Sequence, residues 1–427
     1  MRLAFVSPLP PAGTGIADYS AEVLALLAPC HQIDVFHDQE VVEPSRLPEG
    51  CGVFRARELL SRHRDRAYDL VVYQMGNGPE HGFLYDLLAP LPGLLVLHDL
   101  VLHHSRAKRF LDSPEVRAYA ADPASAAKRD GAQVSLAAYA EEVAYSYPAA
   151  ADRLAEAQLG TLGDLLPYAY PLFRIPVEVS RLTAVHNSFM AAAIDEEVPG
   201  APVTRLAMAV QALPVPPGAA GRLRERYRLA PDDFVVGSFG LLTREKRLAT
   251  LARAVARLAS ALPRLRLLLV GPVPDRGALD ALLERVGLSG RSVVTGRVPF
   301  EELGAHMEAV DLAVHLRYPT ARETSAALLR LLAQGRPVVM SDLGNFAEVP
   351  EAAVVRADVA DEEGEVTRAL LRLAENPAAR ARLGSAAREF VRREHSPARC
   401  LETHQGAIER ARQLPDPPRR NWPKHWG

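Results

Sequence analysis

Lysine is scarce in this chain: Lys108, Lys128, Lys246 and Lys424 are four of the 50 basic residues. Lys246 stands in Phe239-Gly240-Leu241-Leu242-Thr243-Arg244-Glu245-Lys246-Arg247, where an apolar run gives way to an amphipathic one. Arg244, Lys246 and Arg247 therefore sit where a diphosphate could meet a helix start, each charge-assisted hydrogen bond being worth roughly 1.5 to 3 kcal/mol. The bland alternative is solvated charge at a helix end. A second stretch, Ser7 to Ala17, carries Gly13, Thr14 and Gly15 just before an amphipathic run that begins near Asp18. Glycine lets backbone approach a ligand, and a helix amino terminus attracts anions. No Gly-Lys-Ser/Thr ending makes it a P-loop, and Asp18 occupies the third-glycine place of a dinucleotide fingerprint. From its residues alone it is a plain glycine-rich turn or a ligand loop.

Two further places carry polar groups at the ends of apolar runs. Leu94-Leu95-Val96-Leu97 delivers His98 and Asp99, with His103 and His104 following on an expected helix. Those spacings do not suit a metal pair on one helix face, which leaves a core or capping histidine, or one that hydrogen-bonds a substrate. Arg317 to Ser325 joins another strand to a helix. Thr320 and Glu323 there have capping-box spacing, so the carboxylate satisfies a backbone amide, meets a ligand, or does both.

The elements that must position these groups follow from hydrophobic periodicity. Short apolar runs alternate with amphipathic stretches, as in parallel sheets with crossover helices. Strands are predicted at residues 2–6, 32–36, 70–73, 94–97 and 182–185, and again at 234–238, 265–270, 292–295, 312–315, 337–340 and 353–355. Helices are expected at 246–261, 275–286, 300–309, 323–333, 362–375 and 378–393. The fold class is α/β, with two doubly wound, Rossmann-like domains facing across a cleft at the carboxyl ends of their strands. The first is placed at 1–212 with a helical insertion at about 104–181, and the second at 213–395. The proline-rich Leu213-Pro214-Val215-Pro216-Pro217-Gly218 is read as the linker. Residues 396–427 form a helix and a solvated basic tail with Arg419, Arg420, Trp422 and Lys424.

Composition narrows the function classes. At 427 residues the chain is about twice what one core takes. With 48% hydrophobic and 24% charged residues it is neither disordered, collagen-like nor disulfide-stapled. A net charge of -2 offers no general positive field for nucleic acid. Cys30, Cys51 and Cys400 form no C-x-x-C pair, which argues against a structural zinc site and for a reducing compartment. No run approaches the roughly 18 apolar residues of a membrane span, so the expectation is a cytoplasmic protein. Contact with a membrane would be peripheral, at its inner face.

Taken together, the stretch from Pro11 to Ser20, His98-Asp99, Val185-His186-Asn187-Ser188, Phe239 to Lys246, Val294-Thr295-Gly296-Arg297-Val298, Glu323-Thr324-Ser325 and Gly335-Arg336-Pro337-Val338-Val339 resemble the retaining glycosyltransferases of family 4, which have the GT-B fold. The resemblance implies transfer of a sugar from a UDP-, GDP- or other nucleoside-diphosphate sugar to a glycan or lipid-linked hydroxyl acceptor, with no cofactor, no metal and no partner protein. It puts the donor on the second domain and the acceptor on the first. By the same resemblance Lys246 contacts the diphosphate, Gly13, Thr14 and Gly15 meet sugar and phosphate, His98 lies near the reacting sugar, and Glu323 approaches it. Gly240, Gly296, Val298, Thr324 and Ser325 complete the donor site.

The chain departs from the family pattern at three places. Leu241 stands where an arginine is common, and Arg322 and Arg330 occupy the places of a pair of glutamates. Those arginines either replace the missing charge or weaken donor binding. The alternatives to transfer are a sugar-nucleotide epimerase of the same fold and a non-catalytic sugar-nucleotide or glycan-binding protein. Arg106, Lys108 and Arg109 are read as a solvated helix face, or as a surface for anionic headgroups should the acceptor be lipid-linked.

Overall fold

The computed structural model describes residues 1–160 and 163–426. Its contacts divide the chain into two compact units. The first comprises Met1–Ala207, Ala321–Thr324 and Cys400–Gly427, and the second Met208–Thr320 and Ser325–Arg399.

The first unit is built on a seven-stranded sheet. Its strands are β1 (Arg2–Val6), β2 (Gln32–His37), β3 (Gly52–Arg55), β4 (Leu70–Met75), β5 (Leu94–Leu97), β6 (Leu182–Val185) and β7 (Val203–Arg205). All pairs are parallel, in the order β3-β2-β1-β4-β5-β6-β7. Crossover helices cover both faces of such a sheet, and every residue of β5 and β6 is buried accordingly. β3 and β7 were not among the predicted strands. They are the two edges, their residues are half-buried or exposed, and so they lack the continuous apolar run that marks a central strand.

Between β5 and β6 lie helices His103–Leu111, Pro114–Ala121, Ala126–Ser146, Ala151–Leu159, Leu166–Ala169 and Arg174–Glu178. They close over a small core of Ala107, Tyr139, Val143, Leu154 and Leu172. Arg106 does not belong to a solvated or headgroup-facing surface. It is 1% exposed, its Nε donates to Glu142 Oε2 at 2.8 Å, and its guanidinium lies over the rings of Tyr85 and Trp426. Lys108 and Arg109 are exposed, Arg109 pairing with Asp86 at 2.7 Å.

The carboxyl-terminal residues differ from the expected solvated tail for a related reason. After the helix Pro397–Gln413, Arg420 and the Trp422 indole both donate to Glu178, and the Trp426 indole donates to Glu142 Oε1 at 2.6 Å. Two buried carboxylates of the helical insertion thus take their hydrogen bonds from the tail, and Trp426 is buried.

The second unit holds a six-stranded parallel sheet of β8 (Phe234–Phe239), β9 (Leu265–Val270), β10 (Ser292–Val294), β11 (Leu312–His315), β12 (Val338–Ser341) and β13 (Val355–Ala357). Their order is β10-β9-β8-β11-β12-β13. The helix expected from residue 246 is a 3-10 turn, Arg244–Lys246, followed by an α-helix over Leu248–Arg257. Arg247 breaks the two apart with φ of 54°. The helix expected from residue 323 starts at Ala326, where Ser325 Oγ accepts from the Leu328 amide. Thr320 and Glu323 therefore lie outside it and form no capping box at its start. The proline-rich 213–218 stretch sits inside the second unit. Leu213 exchanges hydrogen bonds with the Gln334 side chain in both directions, each at 3.0 Å, so the change of unit falls earlier, after Ala207.

Strand order reverses between β1 and β4 in the first sheet and between β8 and β11 in the second. At such switch points the loops leaving the strand ends diverge and leave room for a ligand. Those loops carry residues 7–14 and 76–78 in the first unit, and 240–246 and 316–320 in the second. Among the described residues no helix is long and apolar enough to cross a membrane.

Candidate functional site

In the second unit the switch point gathers three glycines and a buried cation. Gly240, Gly271 and Gly296 follow β8, β9 and β10 with φ of 105°, 137° and 70°, a region that side chains other than glycine rarely enter. Gly271 donates its amide to Gly296 O at 3.0 Å, and a Cβ on Gly271 would collide with the Gly240 carbonyl. Close approach of backbone is thus what keeps Gly271 a glycine. A Cβ on Gly240 would lie 3.7 Å from Lys246 Nζ and 3.9 Å from the Ala327 side chain. Gly240 therefore faces both the lysine amine and the first turn of the helix capped by Ser325. Lys246 itself is only 6% exposed, and its turn is tied to the next loop by Tyr318 N donating to Glu245 O at 2.9 Å.

His315, the last residue of β11, is 1% exposed, and its Nε2 has no hydrogen-bond partner among the described residues. Burial, then the charges of Lys246 and Arg317, hold it neutral, well below the usual histidine range. Arg330, about one turn into the helix, is buried with its guanidinium 5.0 Å from the Phe300 ring centre. Val298 is half-buried in the loop after β10, and Leu241 is exposed.

In the first unit Thr14 caps the helix Gly15–Leu27, its Oγ1 accepting from the Ile16 amide. Gly13 and Gly15 are exposed, and nothing lies within 4 Å of where a Cβ on Gly15 would be. The start of that helix is open to anions. The turn 321–324, which carries Arg322, Glu323 and Thr324, also belongs to this unit. Ala321 O accepts from the amides of Leu100 and Val101 at 2.9 and 3.4 Å, directly beyond His98-Asp99. Asn187 Nδ2 donates to Arg322 O at 3.1 Å and lies 3.0 Å from Thr324 Oγ1. The Arg322 guanidinium lies 5.7 Å from the Phe189 ring centre. The two groups that the family resemblance assigns to the sugar, His98 and Glu323, are thus carried by loops bonded to one another.

His98 is 6% exposed and both of its ring nitrogens are engaged. Nε2 lies 2.8 Å from Gln74 Oε1, and Nδ1 lies 3.2 Å from His186 Nε2. His186 Nδ1 lies 3.2 Å from the Leu206 carbonyl, which can only accept, so in the neutral ring His186 Nε2 accepts from His98 Nδ1, and His98 Nε2 takes its hydrogen bond from the Gln74 side-chain amide turned to present its nitrogen. Tyr19 stands edge-on to both rings, with centroids 4.7 and 5.3 Å away. The Tyr19 hydroxyl lies 2.9 Å from His404 Nε2. His404 Nδ1 faces the Cys400 carbonyl at 2.8 Å, which can only accept. Nδ1 therefore carries the proton, and Tyr19 donates to Nε2. Burial, reinforced by His186, His81 and His404, holds His98 well below the usual histidine range. The ring is neutral, and it uses its hydrogen bonds within the unit.

Eight of the predicted residues fall into two groups. Gly240, Lys246, Gly296 and Ser325 are gathered at the strand ends of the second unit, whereas His98, Arg322, Glu323 and Thr324 share one loop cluster in the first. Gly271, His315, Gln74 and His404 escaped the sequence reading. Gln74 and His315 left a signal, as polar residues at or near the ends of the otherwise apolar runs of β4 and β11. A cavity of about 1190 Å³ in the helical insertion, lined by Tyr119, Leu136 and Ala140 among others, includes none of the predicted residues. Among the described residues no group of three or more His, Cys, Asp or Glu is placed to hold a metal ion.

Comparison with known proteins bears on both units. Residues 233–376 match the protein family described as Glycosyl transferases group 1. A stretch of 168 residues, 38% of this chain, is 29% identical to the 2-deoxystreptamine glucosyltransferase of Streptomyces kanamyceticus and spans 42% of that relative. Among solved structures, Anabaena HepE in complex with UDP and glucose superposes with a TM-score of 0.66 at 16% identity, covering 96% of this chain and 99% of that one. Sucrose-phosphate synthase from Thermosynechococcus elongatus gives 0.67 at 18% identity, with 96% and 98% covered. WaaG, a glycosyltransferase involved in lipopolysaccharide biosynthesis, gives 0.62 at 13%, with 96% and 99% covered. The chain has the GT-B fold, and the part of its second unit that holds the buried lysine and the strand-end glycines is similar to glycosyl transferases of group 1.

Proposed function

We propose that this chain transfers a sugar from a nucleoside-diphosphate sugar to a hydroxyl acceptor with retention of configuration, as family 4 enzymes do. The observation that carries the reading is Lys246. It is a scarce lysine, buried against Gly240 at the switch point, inside the segment that matches group 1 glycosyl transferases. A lysine amine at this place can donate charge-assisted hydrogen bonds to a diphosphate. HepE, a protein with a similar fold, is described in complex with UDP and glucose, which favours a uridine donor as the first to try.

In the proposed reaction the bond between the anomeric carbon and the diphosphate oxygen breaks, and negative charge grows on the leaving oxygens. Lys246 and the amide groups at the start of the Ser325-capped helix stabilise it. Removing one such preorganised donor typically costs about 10² to 10³ in rate. The acceptor oxygen forms the new bond to the anomeric carbon on the face the diphosphate leaves, and its proton passes to the leaving phosphate. By the family resemblance His98 and Glu323 are the groups assigned to the sugar. No step calls on a metal or a cofactor.

The test is product analysis by mass spectrometry with UDP-, GDP- and ADP-sugars against a panel of hydroxyl acceptors, followed by proton NMR of the product's anomeric coupling. A new glycoside with the donor's anomeric configuration is expected. An inverted product refutes retention. A new sugar nucleotide without any acceptor points to an epimerase, and binding without turnover across the panel points to a non-catalytic protein.

A further inference from the structure

We infer that Asn187 is a positioning residue, which fixes the backbone of the turn 321–324 through its side-chain amide and so sets where Glu323 and Thr324 stand. The turn needs an external hold. Arg322 has φ of 65°, the left-handed region that costs a side-chain-bearing residue stability and persists where neighbouring contacts over-determine it. Ala321 is held from one side by the amides of Leu100 and Val101. The following carbonyl, that of Arg322, takes its hydrogen bond from Asn187 Nδ2, and the same nitrogen lies at hydrogen-bond distance from Thr324 Oγ1. Glu323 is the residue between these two fixed points.

Asn187 is suited to this because its two ends do different work. Its Oδ1 accepts from the Met190 amide at 2.9 Å and caps the helix Ser188–Glu197, which locks the side-chain rotamer. Its Nδ2 is then aimed at the turn. The residue is 2% exposed, so water does not compete for either end. Aspartate would keep the cap and lose the donors, turning a negative oxygen toward the Arg322 carbonyl. Serine would keep a capping hydroxyl and fall short of the turn.

The inference rests on the transferase reading for its consequence in catalysis, but the tether can be measured without activity. In the full-length Asn187→Asp and Asn187→Ser variants, peptides covering 318–326 should exchange amide hydrogens roughly 10- to 100-fold faster than wild type, the range expected when two neutral hydrogen bonds are lost. Exchange over 188–197 should stay unchanged in Asn187→Asp. With UDP-glucose as donor, kcat should fall by a similar factor while the affinity for UDP, measured by calorimetry, shifts by less than about twofold. Unchanged exchange over 318–326 overturns the tether. So does an equal rise over 188–197 in Asn187→Asp, since the residue would then be a helix cap alone. Faster exchange with unchanged kcat overturns the positioning role. A wild-type protein that transfers nothing, together with faster exchange in the variants, supports the tether and overturns the functional reading instead.

Discussion

Acidifying the solution from about pH 7.5 to about 5.0 loads protons onto unfolded histidines that the native first unit keeps neutral. His404 shows the effect most simply. Burial drives its pKa down to about 4, opposed only by the Cys400 carbonyl, whereas the unfolded side chain titrates near about 6.5. The native value is the lower one, so the unfolded chain binds the extra proton. Stability is therefore full above about pH 7 and is lost as pH falls through about 6.5 toward about 4. Between those two conditions a single histidine with these values removes about 2 kcal/mol. His103, also held down to about 4 by burial, removes a similar amount, for about 4 kcal/mol together if the two act independently. The assay is urea unfolding followed by tryptophan fluorescence. Trp422 and Trp426 are the chain's two tryptophans, and both belong to the first unit, so the signal reports that unit alone. His404→Gln should take about 2 kcal/mol out of the loss between the two conditions. A first unit whose stability does not change over this range, or a variant with the wild-type slope, refutes the assignment of these histidines as buried and neutral.

Two other outcomes follow from the same geometry. Lys246→Met keeps the length of the side chain and removes its charge; calorimetry should show UDP binding weakened while uridine binding is unaffected, and transfer should slow by about 10² to 10³. Trp426→Ala takes away a buried ring and one donor to Glu142, which should destabilise the first unit by about 3 to 5 kcal/mol in denaturant and make the 104–181 insertion more sensitive to protease.

What the residue order determined by itself is the set of central strands. β1, β5, β6, β9 and β11 lie at the predicted bounds because a parallel strand covered on both faces is mostly apolar along its length, a property that each short segment carries alone. Gly240 likewise follows an apolar run directly and adopts a backbone angle that favours its residue type, whereas Gly271, placed the same way after β9, was not picked out. Partnership was not legible. Arg106 looks like surface charge until Glu142 and Trp426 close around it, and the basic tail looks solvated until Glu178 and Glu142 take its hydrogen bonds. Along the sequence Asn187 is only one residue of the Val185-His186-Asn187-Ser188 stretch, yet its amide reaches a turn 135 residues further along the chain. Burial periodicity is a local property and can be read along a line. The choice of hydrogen-bond partner depends on which surfaces the fold brings together, so it is decided only in three dimensions.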